Sequence, residues 1–269
     1  MAFDIEKVLS EELNIELWQA QATVKLIDEG NTIPFIARYR KEVTGSLNDE
    51  TLRKFLERLE YLRNLEDKKQ QVISSIEAQG AMTPELKRQI EEAMTQVRVD
   101  DLYMPYRPKR RTRAMIAKEK GLEPLAQMIL AQDMKEPVEK AAEKFISEEK
   151  EVLSAEEATA GASDIIAEMI SDNAVYRDWI RKIFRRDGMV VSEAKDDKIS
   201  SVYEIYYHFQ EPVSKIAGHR ILALNRAEKE KIVDVKVEVP DDSMVKWLGR
   251  QMVHQKNPYT TPLLETAAE

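Results

Sequence analysis

Leu52, Phe55, Leu59 and Leu62 recur at alternating steps of three and four residues, and Val72, Ile73 and Ile76 carry the stripe onward. That spacing is the signature of one apolar face of an α-helix rather than of a strand. It predicts a single long amphipathic helix over residues 50–78, closed by Gly80. Thr83, Pro84 and Glu85 then supply an N-cap with proline at the first helical position, opening a second helix through Leu86, Ile90 and Met94. The pair reads as an αα-hairpin.

The remainder of the chain is built the same way. Only eight of 269 residues are glycine, and Ala, Leu, Glu, Lys, Arg, Gln and Met are abundant, which is a helix-former's composition. Residues 16–29 read as a helix ending at Gly30, and residues 33–41 as a shorter one with Pro34 in its first turn. Gly121-Leu-Glu-Pro124 separates two further helical pieces. Residues 131–160 are acidic, with nine Asp or Glu against four Lys. Apolar spacing is again helical over residues 158–184, where the Val175, Trp179 and Ile183 stripe predicts a buried Trp179 opposite Arg177, Arg181 and Arg185. The polar stretch 192–198 is the best boundary, dividing a first domain, 1–197, from a second helical segment, 198–269. Residues 199–209 read as helix. Residues 232–239 alternate strictly and end at Pro240, the one strong strand signal, and no second segment offers an evident partner. Helices are expected again over residues 241–255 and from Thr261, where the chain looks truncated. The expected fold is mainly α, multi-helical with αα-hairpins and helix-turn-helix-like elements, with one short β segment near 232–239.

Little of the chain carries catalytic chemistry. Cysteine is absent, which removes thiol nucleophiles, disulfides and thiolate metal sites together. No glycine-rich phosphate loop occurs, and His208, His219 and His254 lack a partner at metal-ligand spacing. They read as packed or surface histidines. The paired acids Asp100-Asp101 and Asp196-Asp197 read as loop or cap residues. No apolar run approaches the roughly 20 residues needed to span a bilayer, and there is no apolar signal core. The expectation is a soluble, intracellular, non-enzymatic protein without cofactor, metal or membrane association.

What does stand out is Asp101-Leu-Tyr-Met-Pro-Tyr-Arg-Pro-Lys-Arg-Arg-Thr-Arg113. Between Tyr103 and Lys120 seven Lys or Arg face Glu119 alone, a local charge of +6 in a chain whose net charge is -8. The candidate site is Arg107, Lys109, Arg110, Arg111 and Arg113. Pro105 and Pro108 disfavour the α region at Met104 and Arg107, so the run should begin as an extended loop. Guanidinium forks suit phosphates, and the flanking Tyr103 and Tyr106 could stack on bases. The competing reading pairs these cations with acidic helices of the same chain. Two lesser basic clusters accompany it. Arg38, Arg40 and Lys41 follow Phe35 and Tyr39, the two rings reading as core. Arg220 and Arg226 read as exposed helix charges.

Three segments together resemble the Tex family of bacterial transcription accessory proteins: Thr32-Ile-Pro-Phe-Ile-Ala-Arg-Tyr-Arg-Lys-Glu-Val-Thr-Gly-Ser-Leu47, the basic loop with Gly121-Leu-Glu-Pro-Leu125, and His219-Arg-Ile-Leu-Ala-Leu-Asn-Arg-Ala-Glu228. The resemblance runs along essentially the whole chain. It implies a helical N-terminal region with helix-turn-helix-like elements, in a cytoplasmic protein that binds nucleic acid and influences transcription. It also implies that further domains would follow: a ribonuclease-H-like domain, helix-hairpin-helix units and an S1-type domain that carries much of the nucleic-acid binding. Ala227 departs from the family, which usually has Gly there; alanine fits if the backbone φ is negative. Two functional expectations result. In one, the chain is a nucleic-acid-associated module, RNA or DNA, with weak affinity by itself. In the other it is a protein-interaction scaffold that docks the missing domains or the transcription machinery without touching nucleic acid.

Overall fold

The computed structural model describes residues 4–108, 110–239 and 241–269, without the side chains of residues 241–243. The fold is mainly α, and the chain divides into two compact units, Met1–Arg107 and Pro108–Glu269.

In the first unit the apolar stripe at three-and-four spacing becomes the spine. Helices α1 (Ile5–Leu13), α2 (Leu17–Asp28) and α3 (Ile33–Tyr39) precede α4 (Asp49–Ala78), and α5 (Pro84–Glu92) and α6 (Gln96–Tyr103) follow it. Asn48 caps α4 by accepting from the Thr51 amide at 2.8 Å, and Gly80 closes it as the sequence predicts. Leu52, Phe55, Leu59, Leu62, Leu65, Val72, Ile73 and Ile76 are all buried, and α1, α3, α5 and α6 pack against this one helix. Thr83 caps α5 through the Leu86 amide, so the expected αα-hairpin forms. One polar residue interrupts the stripe. Lys69 is 1% exposed, its Nζ donating to the Glu91 carbonyl at 2.7 Å and lying 3.9 Å from a Glu66 oxygen. Burial holds its pKa below the ordinary lysine value, against the opposing pull of Glu66 and Glu91.

The second unit is organised around α10 (Ala155–Asp172). Ahead of it come α7 (Arg113–Glu119), α8 (Glu123–Ala131) and α9 (Val138–Ala142), and after it α11 (Ala174–Asp187), α12 (Gly218–Lys229), α13 (Asp241–Met252) and α14 (Thr261–Ala268). Ala158, Ala162, Ile165, Ile166 and Ile170 of α10 meet Ala114, Ala117, Leu125, Ile129, Val138, Leu248 and Leu264 in one core. Gly161 lets this happen at close range, because a methyl there would come within 2.4 Å of Leu122 and 3.2 Å of Ala117. The loop between α13 and α14 is tied down by polar groups instead. Buried Gln132, after α8, donates to the Met252 carbonyl at 2.7 Å and accepts from the His254 and Gln255 amides at 3.0 Å each.

Three expectations are corrected here. The expected strand, β3 (Val233–Glu238), does find its partner in β1 (Met189–Ala194), whose other edge pairs with β2 (His208–Pro212); both pairings are antiparallel. Residues 199–209 are therefore not a helix. They form turns, a 3-10 turn at Glu204–Tyr206 and the start of β2, because Tyr206 and Tyr207 are buried there and Ser192 of β1 donates to the Tyr206 carbonyl at 2.8 Å. Pairing also crosses the proposed boundary at 197, and the division into compact units falls at Arg107 instead. Ala227 lies inside α12, fully buried beside Tyr207 and Val233, where a helical φ accommodates it.

Trp179 is half-buried, not fully buried, and Val175 ahead of it is exposed. The indole stacks on Trp247 of α13 at 3.8 Å and 5°, with Tyr176 edge-on to Trp247 at 5.7 Å.

Two stability measurements test this account. Trp179→Ala should cost about 2–3 kcal/mol, combining partial burial with an aromatic pair, and an unchanged denaturation midpoint would mean the stack contributes nothing. Lys69→Ala should cost about 3 kcal/mol through the cavity and the orphaned carbonyl, while Lys69→Met, which refills the volume, should cost about 1 kcal/mol. The lowered pKa sets a sign. Just below the unfolded lysine value of about 10.4 the unfolded chain binds more protons than the folded one, so stability rises with pH there. That alkaline gain should be missing in Lys69→Met, and matching pH profiles would refute it.

Candidate nucleic-acid interface

The basic run divides between the two units. α6 ends at Tyr103 and continues into a 3-10 turn, Met104–Tyr106, so Met104 is helical despite preceding Pro105, whereas Arg107 is extended as expected. The two tyrosines do not stand out as stacking rings. Tyr103 is half-buried with its hydroxyl 2.9 Å from that of Ser75, so it serves the packing of α6 on α4, and Tyr106 is half-buried in the 3-10 turn, its backbone carbonyl accepting from Gln79 at 3.0 Å. Asp101 likewise is buried in α6 rather than on a loop, and Asp100 pairs with Lys68 at 2.7 Å. Arg107 ends the first unit, is exposed, and makes no ion pair among the described residues.

Arg110 and Arg111 belong to the second unit, in the irregular segment that enters α7, and Arg113 is the first residue of that helix; Lys109 lies outside the described residues. Thr112 fixes this segment. Its hydroxyl oxygen accepts from the Met115 amide at 3.1 Å, capping α7, and donates to Glu168 of α10 at 3.0 Å. Arg110 is exposed and has no ion pair among the described residues. Arg111 reaches Glu119 at 2.8 Å, and Arg113 lies 3.4 Å from Asp164. Both arginines are largely solvated, so each pair contributes at most about 1 kcal/mol. Cations at the start of a helix also oppose its dipole. The arginines are therefore poorly explained as props for α7, and the carboxylates around them are weak enough to yield to another anion.

The lesser clusters differ from the expectation in one respect. Tyr39, read as core, is 65% exposed; its ring meets half-buried Phe35 at 5.2 Å, and Arg40 lies over Phe35 at 5.1 Å. Arg220 pairs with Glu211 at 2.7 Å, and Arg226 is exposed on α12. His208, His219 and His254 are all exposed, and among the described residues no group of three or more carboxylates or histidines is arranged to hold a metal.

The profile of the Tex-like protein N-terminal domain matches residues 3–77, and that of the Tex central region-like family matches residues 133–261. The chain belongs to the Tex family. It is 40% identical to uncharacterized protein YdcI of Bacillus subtilis over 98% of its own length and 37% of that protein's. It is 38% identical to transcriptional accessory protein Tex of Neisseria gonorrhoeae, covering 90% of this chain and 32% of the relative. The human S1 RNA-binding domain-containing protein 1 is 30% identical over 92% of this chain and 26% of the relative. The Tex-family chain thus spans about a third of the length of the curated relatives it matches. Its basic segment lies between the two profiles, in residues 78–132. No helix among its described residues is long and apolar enough to cross a membrane.

If the arginines are not structural props, neutralising their partners should scarcely matter to the fold. Glu119→Gln with Asp164→Asn, which removes both pairs, should lower stability by no more than about 2 kcal/mol in thermal denaturation. A loss of several kcal/mol would make these pairs part of the fold and favour internal docking of the loop.

Proposed function

We propose that this chain is a non-enzymatic, cytoplasmic, nucleic-acid-associated module of a transcription accessory protein, in which Arg107, Lys109, Arg110, Arg111 and Arg113 contact phosphates. The observation that carries the reading is the solvated state of the described arginines. Arg107 and Arg110 have no carboxylate partner among the described residues, and the pairs of Arg111 and Arg113 are exposed. A phosphate offers each guanidinium a charge-assisted acceptor at least as good as the carboxylate it would leave. Release of counterions then drives association, with a salt slope of roughly 0.7 to 0.9 per neutralised phosphate. The chain's net charge of -8 opposes binding at longer range, which keeps the affinity low. The names of the relatives, one a transcriptional accessory protein and another an S1 RNA-binding domain-containing protein, agree with this reading.

A second reading, a scaffold docking acidic protein surfaces, draws support from the same two pairs, since they show the loop's arginines already engaging carboxylates. One variant separates the two. Arg110→Glu with Arg111→Glu should weaken binding to labelled RNA or DNA at low salt by at least about tenfold and flatten the salt slope by roughly 1.4 to 1.8, leaving the helical circular-dichroism spectrum intact. Undiminished binding would remove the loop from the interface. Unfolding would mean that the arginines stabilise the chain itself.

A further inference from the structure

The turn after α3 gathers features that the basic loop does not explain. Trp18, at the start of α2, is 52% exposed, and Tyr39, at the end of α3, is 65% exposed; they are the only exposed aromatic residues among those described in the first unit. Both flank the turn formed by residues 40–46. The Thr44 amide donates to the Arg40 carbonyl at 3.1 Å and that of Ser46 to the Lys41 carbonyl at 2.7 Å, while Gln19 of α2 donates to the carbonyls of Thr44 at 3.0 Å and Gly45 at 3.3 Å. Gln19 also accepts from the Glu16 amide at 3.0 Å, so one side chain fixes both the start of α2 and this turn. The indole lies directly on the turn. A methyl at Gly45, where φ is +63°, would come within 2.7 Å of Trp18 Cη2.

Arg38 in the last turn of α3 and Arg40 and Lys41 on the turn itself stand against Glu42 alone. All three cations are exposed and none is in an ion pair among the described residues, although the rest of the unit pairs its cations freely, as in Arg53 with Asp49, Arg58 with Glu12, Arg63 with Asp28 and Arg88 with Glu85. Arg40 instead lies over the Phe35 ring with Nη1 donating to the Tyr39 carbonyl at 3.1 Å, and its remaining guanidinium N–H groups face solvent. Exposed apolar residues occur singly on any protein. One exposed ring lying against the turn at Gly45 and another at the end of the helix that enters it, beside three cations without ion pairs among the described residues, are a different arrangement, one with faces for bases and donors for phosphates.

We propose that Trp18 and Tyr39, with Arg38, Arg40 and Lys41, form a second nucleic-acid site, a base-stacking platform for single strands. This site is independent of the basic loop. Stacking on an aromatic face needs an unpaired base, so the platform takes single-stranded nucleic acid in preference to duplex and is tolerant of sequence.

The test uses the full chain with a fluorescein-labelled oligothymidylate and, as the second probe, an abasic phosphodiester of the same length. The wild type should bind the base-bearing strand more tightly. Trp18→Ala or Tyr39→Ala should each weaken that binding about tenfold while leaving the abasic strand unaffected, and Trp18→Phe with Tyr39→Phe should restore most of the loss. Arg110→Glu with Arg111→Glu should weaken both probes alike, so loss of the loop and loss of the platform are read separately. Because both rings are more than half exposed, their truncation leaves the fold intact, which circular dichroism checks. Equal affinity of the wild type for the two probes, or alanine variants that bind the oligothymidylate like the wild type, would overturn the platform without touching the loop. Alanine variants that weaken both probes equally would do the same.

Discussion

The carboxamide of Gln132 holds the segment between α13 and α14 in place. Residues 253–260 have no helix or strand to satisfy their backbone, yet the amides of His254 and Gln255 end on one side-chain oxygen and the Met252 carbonyl on the nitrogen beside it. Asn257 completes the arrangement, donating to the Gln132 carbonyl at 3.2 Å and the Met134 carbonyl at 2.9 Å while accepting from the Tyr259 amide at 2.9 Å. Each buried group left unpaired costs about 1–3 kcal/mol, and a domain's whole stability is about 5–15 kcal/mol. Two or three such losses would therefore release α14, and with it Leu264 and Ala268 from the core around α10. The first unit relies on the opposite device, a continuous apolar face on α4 in which Lys69 is the polar exception.

That contrast explains which parts of the fold were legible in the sequence. α4, α5 and their caps are local: the stripe from Leu52 to Ile76, Asn48, Gly80 and Thr83 all act within a few residues of where they stand. The Gln132 network joins groups more than 120 residues apart, and Gln132 itself sits at φ +56°, in the left-handed region, with no glycine to announce a turn. The sheet escaped for a related reason. Met189-Val-Val191 after Gly188 is a β-branched signal too short to separate from the end of α11, and the Tyr-rich stretch before Pro212 fits helical spacing until β1 offers it a ladder. Once two strands on either side of residue 197 pair with one another, no domain boundary can lie there.

The candidate site was half legible, split along the same line. Charge is a property of sequence, so the cations from Arg107 to Arg113 could be found at once, as could Arg38, Arg40 and Lys41. Exposure is a property of packing, and there the aromatic assignments reversed. Tyr103, beside the conspicuous basic run, is drawn into the first unit's packing, whereas Tyr39, expected in the core, stays outside. The reversal has a simple cause. α3 turns Ile33 and Ile36 inward toward Leu26 and Leu52, which leaves Phe35 and Tyr39, four residues apart, on a shared outer flank.

On the proposed reading, both cationic surfaces work against the chain's own field. Screening at physiological salt limits the repulsion from the remaining acidic surface to about 8 Å, so a strand that has already reached either patch feels chiefly its nearest cations. An arginine exchanging Glu119 or Asp164 for a phosphate changes its electrostatic energy little, since both acceptors are anionic and solvated. What remains favourable is counterion release and, at the α3 turn, stacking. The first term falls steeply with salt and the second does not. Affinity that survives rising salt would therefore report the rings, and affinity that vanishes would report the arginines.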